Sequence, residues 1–273
     1  MIPAAFEYVR AGSTDEVLAA LAEHGDDAKI LAGGMSLLPL MKLRLATPSV
    51  LVDVGRVKDL AYVNDGTDHV AIGALTRHRE LETSELLQRE CAVLQAVAAE
   101  VGDNQVRHRG TIGGSTAHGD PASDLPAVLL ALDATVVARG PGGERTIPAS
   151  EFFLGFLETA LAPDELLVEI RVPKTGATGF SYQKFNRRAQ DWAIVGALAV
   201  RNGSTRVALV NMAATPLRAR GVEEAIASGS SAADAAERAA EATEAPSDLN
   251  ATPEYREHLA RVLVRRALEA AGA

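Results

Sequence analysis

The amino-acid sequence predicts an α+β fold made of three successive parts. Residues 1–56 alternate short apolar strands with helical stretches, the order that produces a small parallel βαβ unit. In residues 57–176, strand-like segments separated by turns predict an antiparallel sheet with helices on one side. In residues 177–273, three strand-like segments precede alanine-rich helical stretches, which predicts a three-stranded sheet with a helical bundle.

The first part contains a helix whose two ends are marked by particular residues. Ser13 and Glu16 have the spacing of a capping box with Ser13 as the N-cap, and Gly25 ends the helix. The predicted strands of this part are residues 6–10, 29–31 and 50–54, and a short helix is predicted over 37–43.

The second and third parts each contain a turn that indicates a hairpin. Gly140-Pro141-Gly142-Gly143 joins two strands of the second part, and Asn202-Gly203 joins two strands of the third. The predicted strands are residues 62–64, 69–74, 134–139, 145–148, 164–170, 179–185, 191–200 and 206–213. The predicted helices are residues 77–81, 91–101 and 125–132, helical stretches within 221–245, and a last helix over about 254–270.

Composition indicates an ordinary globular protein. The chain has 273 residues, of which 47% are hydrophobic and 23% charged, so it can bury a sizeable core. Its net charge of −9 gives no electrostatic reason to bind nucleic acid or an anionic membrane face. No apolar run approaches the roughly 18 residues of a membrane span. The segment Met1–Phe6 lacks the pattern of a secretory signal, so a cytoplasmic location is expected.

The cysteine and histidine content limits the metal chemistry of this chain. Cys91 is the only cysteine, which rules out an intrachain disulfide and fits a reducing compartment. One thiol cannot supply the four ligands that an iron–sulfur cluster normally takes. The six histidines show no close metal-ligand spacing, so no metal site is predicted.

Two glycine pairs carry the strongest functional signal. One lies in Lys29–Ser36, and the other in Arg109–Ser115, which leads into Asp120–Pro126. Glycine lets backbone amides approach a ligand, and successive free amides form an anion site to which a helix N-terminus adds. Two such loops suit a ligand with two linked phosphates, although each alone can be an ordinary turn.

Motifs of other enzyme classes are missing or poorly placed. The chain contains neither the G-x-G-x-x-G dinucleotide motif nor the G-x-x-x-x-G-K-[ST] triphosphate loop. A hydrolase that uses Ser115, His118 and Asp120 is disfavoured because these residues lie too close in sequence for the usual triad geometry.

The glycine pairs and the segments around them resemble a known family. "AGGxS" at 32–36, "TIGGS" at 111–115 and "DPxSDLP" at 120–126 occur in the order found in FAD-binding (medium) subunits of molybdenum hydroxylases. The resemblance covers nearly the whole chain. "AGGxSLLPLMKLRLA" at 32–46 and "AHxDPASDLP" at 117–126 are most similar to the carbon monoxide dehydrogenase branch. Xanthine dehydrogenase and bacterial nicotine, caffeine and nicotinate dehydrogenases share much of the pattern.

The resemblance implies a fold and a set of cofactor contacts. The fold is a two-subdomain FAD-binding fold, residues 1–56 and 57–176, followed by a C-terminal domain over 177–273. The implied FAD-binding residues are Lys29, Ile30, Leu31, Ala32, Gly33, Gly34, Met35, Ser36, Leu37, Val101, Thr111, Ile112, Gly113, Gly114, Ser115, His118, Asp124, Leu167 and Lys184. No residue is implied to act as a catalytic acid or base.

Three of these residues have a second interpretation. Asp124 is expected either to accept from a ribityl or adenosine hydroxyl or to cap the following helix, roles that are compatible. Lys184 lies in a stretch similar to the family's K-x-x-x-R-x-x-D, where positive charge stabilises the reduced flavin ring; otherwise it is a surface lysine paired with an acid. Leu167 packs on the cofactor in relatives, although a leucine in a strand is more typical of a core.

The sequence departs from the family at two positions and has one cluster of uncertain role. Met35 replaces a polar residue, so its amide remains but a side-chain hydrogen bond is lost. Gly119 stands where a larger residue is common, which predicts a more mobile loop before Asp120. Three phenylalanines, Phe152, Phe153 and Phe156, are expected to be core residues or a wall near the flavin or a partner interface.

By resemblance, the chain is expected to be an electron-transfer subunit that binds FAD noncovalently. A large molybdopterin subunit and a small subunit with 2Fe–2S clusters are implied partners, in a dimer of heterotrimers. Electrons would pass from the clusters through FAD to a quinone, NAD or another acceptor. By the same resemblance, the primary substrate would be carbon monoxide or, alternatively, an N-heterocycle. A self-sufficient flavoprotein oxidase and a nucleotide-binding module without redox chemistry are the rival interpretations.

A first prediction concerns the glycine pairs. Gly33→Val and Gly114→Val each place a β-branched side chain against the expected diphosphate, so both should abolish flavin retention while the chain stays folded. Flavin absorbance of the purified variants, together with circular dichroism, checks this. Full FAD occupancy in both variants would refute the assignment of the glycines to the cofactor.

Overall fold

The structure is a computed structural model that describes residues 2–176 and 178–273. The strands are β1 (Glu7–Arg10), β2 (Ala28–Leu31), β3 (Val50–Asp53), β4 (Val63–Asp65), β5 (His69–Gly73), β6 (Thr135–Gly140), β7 (Gly143–Pro148), β8 (Phe153–Gly155), β9 (Glu158–Thr159), β10 (Leu166–Pro173), β11 (Gly179–Phe185), β12 (Val195–Asn202), β13 (Ser204–Val210) and β14 (Leu217–Arg218). The helices are α1 (Thr14–His24), α2 (Leu37–Lys42), α3 (His78–Glu82), α4 (Glu85–Glu90), α5 (Ala92–Ala99), α6 (Asn104–Arg109), α7 (Ile112–His118), α8 (Asp124–Ala131), α9 (Ala149–Phe152), α10 (Arg220–Ala227), α11 (Ala232–Ala236) and α12 (Pro253–Ala271).

The N-terminal strands form the predicted small parallel sheet. Its order is β1-β3-β2, with Glu7 and Ala28 both in register with Val50. Ser13 caps α1 as predicted, because its hydroxyl accepts from the Glu16 amide at 3.2 Å. The Glu16 carboxylate accepts from the Gly12 amide at 2.7 Å, one residue earlier than a standard capping box requires.

The second sheet is the antiparallel sheet that the sequence predicts. Its order is β4-β5-β10-β6-β7, and β6 and β7 form the expected hairpin. Helix α8 is buried along its whole length. It packs against α5 and α7 on one side and against strands β12 and β13 on the other. A single core cluster therefore runs from β5 and β10 through α8 to Leu198 and Val210 of the C-terminal sheet.

The glycine-containing segment 111–115 is helical, which differs from the loop expected for it. Thr111 is the N-cap of α7, and Gly113 and Gly114 lie in the first turn of that helix. The predicted helix over 91–101 is shorter than expected, since α5 ends at Ala99 and a separate helix α6 follows.

The C-terminal sheet contains the three predicted strands and one more. Its order is β11-β12-β13-β14, and the additional strand β14 has only two residues, too few to leave a periodic pattern in the sequence. Strand β12 begins at Val195, four residues later than predicted. The region expected to be helical over 221–245 breaks into α10, α11 and a short 3₁₀ turn, since Gly229 has a left-handed φ of 90° and residues after 241 are extended or in turns.

Helices α10 to α12 cover one face of this C-terminal sheet. Val207 and Leu209 of β13 share a core cluster with Val222 of α10 and Leu263 of α12. In the described part of the chain, no helix has both the length and the apolar character required to cross a bilayer.

The three larger sheets use strands within residues 7–53, 63–173 and 179–218. The division of the chain into domains at residues 56 and 176 stays a prediction.

The three phenylalanines have three different environments. Phe152 is completely buried, and its ring meets that of Phe153 edge to face with centroids 5.1 Å apart. Phe156 lies in the turn between β8 and β9 and is 67% exposed. The core interpretation is therefore confirmed for Phe152, whereas Phe156 is a surface residue.

This contrast predicts a difference in stability. Phe152→Ala should lower the free energy of unfolding by about 3–5 kcal/mol because it opens a cavity in the main core. Phe156→Ala should change it by less than about 0.5 kcal/mol. Urea unfolding followed by circular dichroism measures both. Equal effects of the two substitutions would contradict these environments.

Candidate functional site

The two glycine pairs lie side by side, as the sequence predicts. A Cβ atom placed on Gly33 would overlap the carbonyl oxygen of Arg109 and lie 2.9 Å from the Cα atom of Gly110. A Cβ atom placed on Gly114 would lie 3.8 Å from the Cβ atom of Ala32. The loop after β2 therefore packs directly on the N-terminal end of α7.

The first loop has the unused donors that an anion site requires. Within the described residues, the backbone N–H groups of Gly33, Gly34, Met35 and Ser36 have no intramolecular acceptor. Gly34 has a left-handed φ of 76°, a conformation that glycine adopts without strain. The Ser36 hydroxyl does not cap α2, although Ser36 is the N-cap residue. A run of consecutive free amides that includes a left-handed residue is the arrangement of an anion-binding nest.

The amides of Ile112 to Ser115 in the second segment already have acceptors inside the protein, so the expectation that the glycine amides of this segment are free for the ligand was wrong. The N–H of Ile112 donates to Thr76 O at 3.0 Å, and that of Gly113 donates to Ala74 O at 2.9 Å. The Gly114 and Ser115 amides donate to Thr111, to its side-chain Oγ1 at 3.1 Å and to its carbonyl at 3.0 Å respectively. These bonds follow from the helical N-terminus that the sequence did not reveal. This segment can offer a ligand the Ser115 hydroxyl and van der Waals contact with its backbone.

The close contacts also decide which glycine substitutions test a ligand contact and which disturb the packing of the protein. Gly33→Val would force the first loop away from Arg109 and Gly110, so this variant disturbs packing between the loops in addition to any ligand contact. The expectation that the chain stays folded with this substitution stays a prediction, but the variant does not isolate the ligand contact. Among the described residues, a Cβ atom at Gly114 would lie 2.7 Å from the Thr111 hydroxyl oxygen and 3.8 Å from the Ala32 Cβ atom, with no backbone atom of another segment in the way, so Gly114 offers the cleaner substitution. Gly113 is required for packing, because its Cβ atom would lie 2.6 Å from Ala74 O.

Lys29 and His118 lie near each other beside the glycine pairs. Burial lowers the pKa of His118, Asp120 opposes this change, and the positive charge of Lys29 adds to it. Gly119 follows His118 as the left-handed C-cap of α7, with φ 67°, and is buried against β9. Glycine at this position thus serves a helix end packed on a strand, and the expected mobile loop is not supported.

Asp124 and Lys184 are brought into direct contact. The Lys184 ammonium group donates to Asp124 Oδ2 at 2.9 Å, and both side chains are only 6% exposed. Lys184 also donates to the Glu100 carbonyl at 2.8 Å, which places its head beside the backbone of Val101. Burial raises the pKa of Asp124, whereas the charge of Lys184 and the hydrogen bond from Tyr182 lower it. Lys184 is therefore not a surface lysine.

Ser123, rather than Asp124, occupies the N-cap position of α8, and Asp124 is the first helical residue. The capping interpretation of Asp124 was therefore wrong. A carboxylate in the first turn still interacts favourably with the helix dipole.

Tyr182 belongs to this group, and sequence reasoning missed it. Its hydroxyl donates to Asp124 Oδ1 at 2.5 Å. The signal that was available is its position two residues before Lys184 on β11, because alternate residues of a strand share one face.

The remaining predicted residues have mainly structural environments. Leu167 is 3% exposed in β10 and packs in the main core, as its alternative interpretation states. Ile30 and Leu31 belong to the edge strand β2, and Leu37 begins α2. Contacts of these residues with a cofactor stay predictions. A polar cleft lined by Ser13, Tyr62 and Glu169 contains none of the predicted residues.

Two family models match successive parts of the chain. Residues 4–175 match the FAD binding domain in molybdopterin dehydrogenase, and residues 180–271 match the CO dehydrogenase flavoprotein C-terminal domain. The chain therefore belongs to the family of FAD-binding subunits of molybdopterin dehydrogenases. It is an oxidoreductase subunit.

Individual relatives extend over the whole chain. The carbon monoxide dehydrogenase medium chain of Hydrogenophaga pseudoflava is 42% identical over 100% of this chain and 99% of its own length. A solved structure of carbon monoxide dehydrogenase from that organism, lacking the Mo-pyranopterin moiety of its cofactor, has a TM-score of 0.94 over 100% of this chain and 99% of the matched chain, at 42% identity. The 6-hydroxypseudooxynicotine dehydrogenase complex subunit alpha of Paenarthrobacter nicotinovorans is 39% identical over 98% of this chain and 95% of its length.

The donor set fits the phosphate-bearing cofactor of this family. The free amides from Gly33 to Ser36 supply neutral donors for a diphosphate, and the Lys29 side chain adds positive charge in a chain with net charge −9. Hydroxyl groups at Ser36 and Ser115 are suited to phosphate or ribityl oxygens.

His78 supports the backbone at the start of the second glycine segment. Its amide donates to Gly110 O at 3.0 Å, and its ring fills the space where Gly110 lacks a side chain. Burial lowers the pKa of His78 to about 4, and the positive charges of Arg107 and Arg77 add to this change. The buried ring is neutral at pH 7, and its Nδ1 atom has no hydrogen-bond partner among the described residues.

The low pKa of His78 predicts acid sensitivity. As pH falls from the ordinary value of 6.5 towards 4, the unfolded chain binds a proton that the folded chain does not. The free energy of unfolding should therefore fall across this window, by about 3 kcal/mol from this residue.

The measurement is urea unfolding at several pH values between 4 and 7. His78→Phe keeps a ring in the cavity and loses no Nδ1 hydrogen bond, so it should remove this part of the pH dependence. Replacement of the exposed His108 by Gln should preserve it. An identical pH dependence in the wild-type chain and His78→Phe would contradict the assignment.

Proposed function

We propose that this chain holds one FAD noncovalently across the two adjacent glycine pairs and transfers electrons from a partner's iron–sulfur clusters to an external acceptor. The observation that carries the proposal is the row of free amides at Gly33–Ser36, packed on the start of α7. Such a row of free amides suits the diphosphate of FAD.

The roles of individual residues follow from their chemistry. The amides of Gly33 to Ser36 bind the diphosphate, and the hydroxyls of Ser36 and Ser115 add hydrogen bonds. Asp124 accepts a hydrogen bond from a hydroxyl of the cofactor, and Lys184 supplies positive charge close to the cofactor. The cofactor site that we propose comprises Lys29, Ile30, Leu31, Ala32, Gly33, Gly34, Met35, Ser36, Leu37, Val101, Thr111, Ile112, Gly113, Gly114, Ser115, His118, Asp124, Leu167 and Lys184.

Bound flavin supplies the chemistry of the subunit, because it accepts electrons singly and delivers them in pairs. The chain's own contribution is to bind the cofactor, orient it and set the charge around it. Positive charge from Lys184 would favour the reduced, anionic form of a flavin whose ring lay near it. The 38% exposed Met35 side chain offers an apolar surface where the family usually has a polar residue, so a thioether could pack there against the cofactor.

The proposed partners follow from the relatives, one of which is a medium chain and another a complex subunit. We infer that a large molybdopterin subunit and a small subunit with two 2Fe–2S clusters assemble with this chain, in a dimer of heterotrimers located in the cytoplasm. A complex of this kind separates the tasks: the large subunit oxidises the substrate, and this chain delivers the electrons to a quinone, NAD or another acceptor.

Carbon monoxide is the first candidate substrate of the complex, because the medium chain of a carbon monoxide dehydrogenase is 42% identical over the full length. An N-heterocyclic substrate is the second candidate. It is supported by the 39% identity to a subunit of 6-hydroxypseudooxynicotine dehydrogenase. The choice between them depends on the large subunit, since no residue of the present site needs to contact the primary substrate.

The proposal predicts the spectrum of the purified chain. With added FAD, the chain should acquire flavin absorbance, and heating should release FAD rather than FMN because the site is built for a diphosphate. Gly114→Val should lose the flavin and keep its circular dichroism spectrum. A folded wild-type chain that takes up no flavin would refute the proposal, and binding of ADP without FAD would favour a nucleotide-binding module.

Purification from native cells tests the partners. The chain should co-purify with two others, one of them rich in cysteine, and the complex should reduce a dye with carbon monoxide or an N-heterocycle as donor. Isolation as a lone active oxidase would contradict the proposed assembly.

A further inference from the structure

Two side chains of strand β11 hold the carboxylate of Asp124 from the side of the C-terminal sheet. The Tyr182 hydroxyl donates to Oδ1 at 2.5 Å, and the Lys184 ammonium group donates to Oδ2 at 2.9 Å. The two residues are separated by one position and therefore share a face of the strand. A cofactor residue at the start of α8 is thus oriented by a different part of the chain.

The surroundings of the Tyr182 hydroxyl are shaped to accommodate it. On the neighbouring strand β12, a Cβ atom at Gly196 would lie 2.8 Å from the Tyr182 hydroxyl oxygen, so glycine leaves the space this group needs. Burial raises the pKa of Tyr182 well above its ordinary value, and the charge of Asp124 adds to this. The hydroxyl is therefore a permanent donor to the carboxylate at physiological pH.

We propose that Tyr182 is a positioning residue of the flavin site, which fixes the Asp124 carboxylate and thereby sets how much of the Lys184 charge reaches the cofactor. This inference rests on the proposed function, since it takes Asp124 and Lys184 as cofactor residues. It adds a residue of the C-terminal sheet that tunes the cofactor without touching it.

The physical reason is the division of the Asp124 charge between two donors. A buried carboxylate needs both hydrogen bonds, and the neutral O–H group satisfies one oxygen without adding charge. Without the hydroxyl, the carboxylate depends on Lys184 alone, so a larger share of the ammonium charge is neutralised by Asp124. Less of the positive charge then acts on the flavin ring. Glu100 is the other titratable group that acts on both Asp124 and Tyr182, and it also opposes their ionisation.

The chain contains a matched control for the loss of this hydrogen bond. Tyr62 also donates from its hydroxyl to a partly buried carboxylate, Glu169 Oε2, at 2.6 Å. It lines the polar cleft beside α1, which contains none of the proposed cofactor residues. Tyr182→Phe and Tyr62→Phe therefore remove the same kind of bond, one inside and one outside the proposed site.

The experiment measures FAD affinity by flavin fluorescence and the flavin midpoint potential by spectroelectrochemistry, on the full-length chain reconstituted with FAD. Tyr182→Phe should weaken FAD binding several-fold, because the Asp124 carboxylate loses one of the two donors that orient it, and make the midpoint potential more negative. Tyr62→Phe should change neither quantity, although both variants should lower the thermal midpoint. A Tyr182→Phe chain whose affinity and potential match those of Tyr62→Phe would overturn the inference.

A second variant separates this inference from the proposed function. Lys184→Met should itself shift the potential, and adding Tyr182→Phe to it should shift the potential no further, because Tyr182 acts through the lysine charge. If Lys184→Met changes the potential but Tyr182→Phe does not, only the role of Tyr182 is wrong. If Lys184→Met leaves both the affinity and the potential unchanged, the proposed role of Lys184 in the flavin site fails, and that of Tyr182 fails with it.

Discussion

The arrangement of the site depends on the backbone contact between Gly33 and the Arg109–Gly110 peptide. Any side chain at Gly33 would occupy the position of the Arg109 carbonyl oxygen, so the loop after β2 and the start of α7 can meet only because this residue is glycine. The same contact holds the loop after β2 against the segment that joins α6 to α7. The glycines thus create the site by allowing two pieces of backbone to pack, before any ligand is considered.

This packing divides the donors unequally between the two segments. The amides of Ile112 and Gly113 fasten α7 to Thr76 and Ala74, and those of Gly114 and Ser115 donate to Thr111 at the N-cap of the same helix. Within residues 2–176 and 178–273, the amides of Gly33 to Ser36 have no such partners, so they remain available to a ligand. The first glycine segment therefore supplies the free donors, and the second supplies packed backbone. A ligand that binds the first segment need not compete with existing hydrogen bonds.

A second junction joins the C-terminal sheet to the rest of the molecule. Helix α8 is buried between the sheets, and its first residue, Asp124, receives hydrogen bonds from Tyr182 and Lys184 of β11. Breaking the hydrogen bonds between a buried carboxylate and two such donors costs free energy, because the remaining buried groups would be left unpaired. The charge at the cofactor site consequently depends on how the C-terminal sheet is docked.

The sequence by itself determined the three-part α+β order, most strands, the capping of α1 by Ser13 and the family to which the chain belongs. These features are local: alternation of apolar residues, turn glycines and short motifs are written in neighbouring positions. Only the tertiary structure decided that the amides of 112–115 are occupied, that Gly33 serves a backbone contact, and that Tyr182 and Lys184 converge on Asp124. The physical reason is distance along the chain, since the bonds to Asp124 join residues 58 and 60 positions apart, and no local pattern records which side chains the packing of α8 brings together.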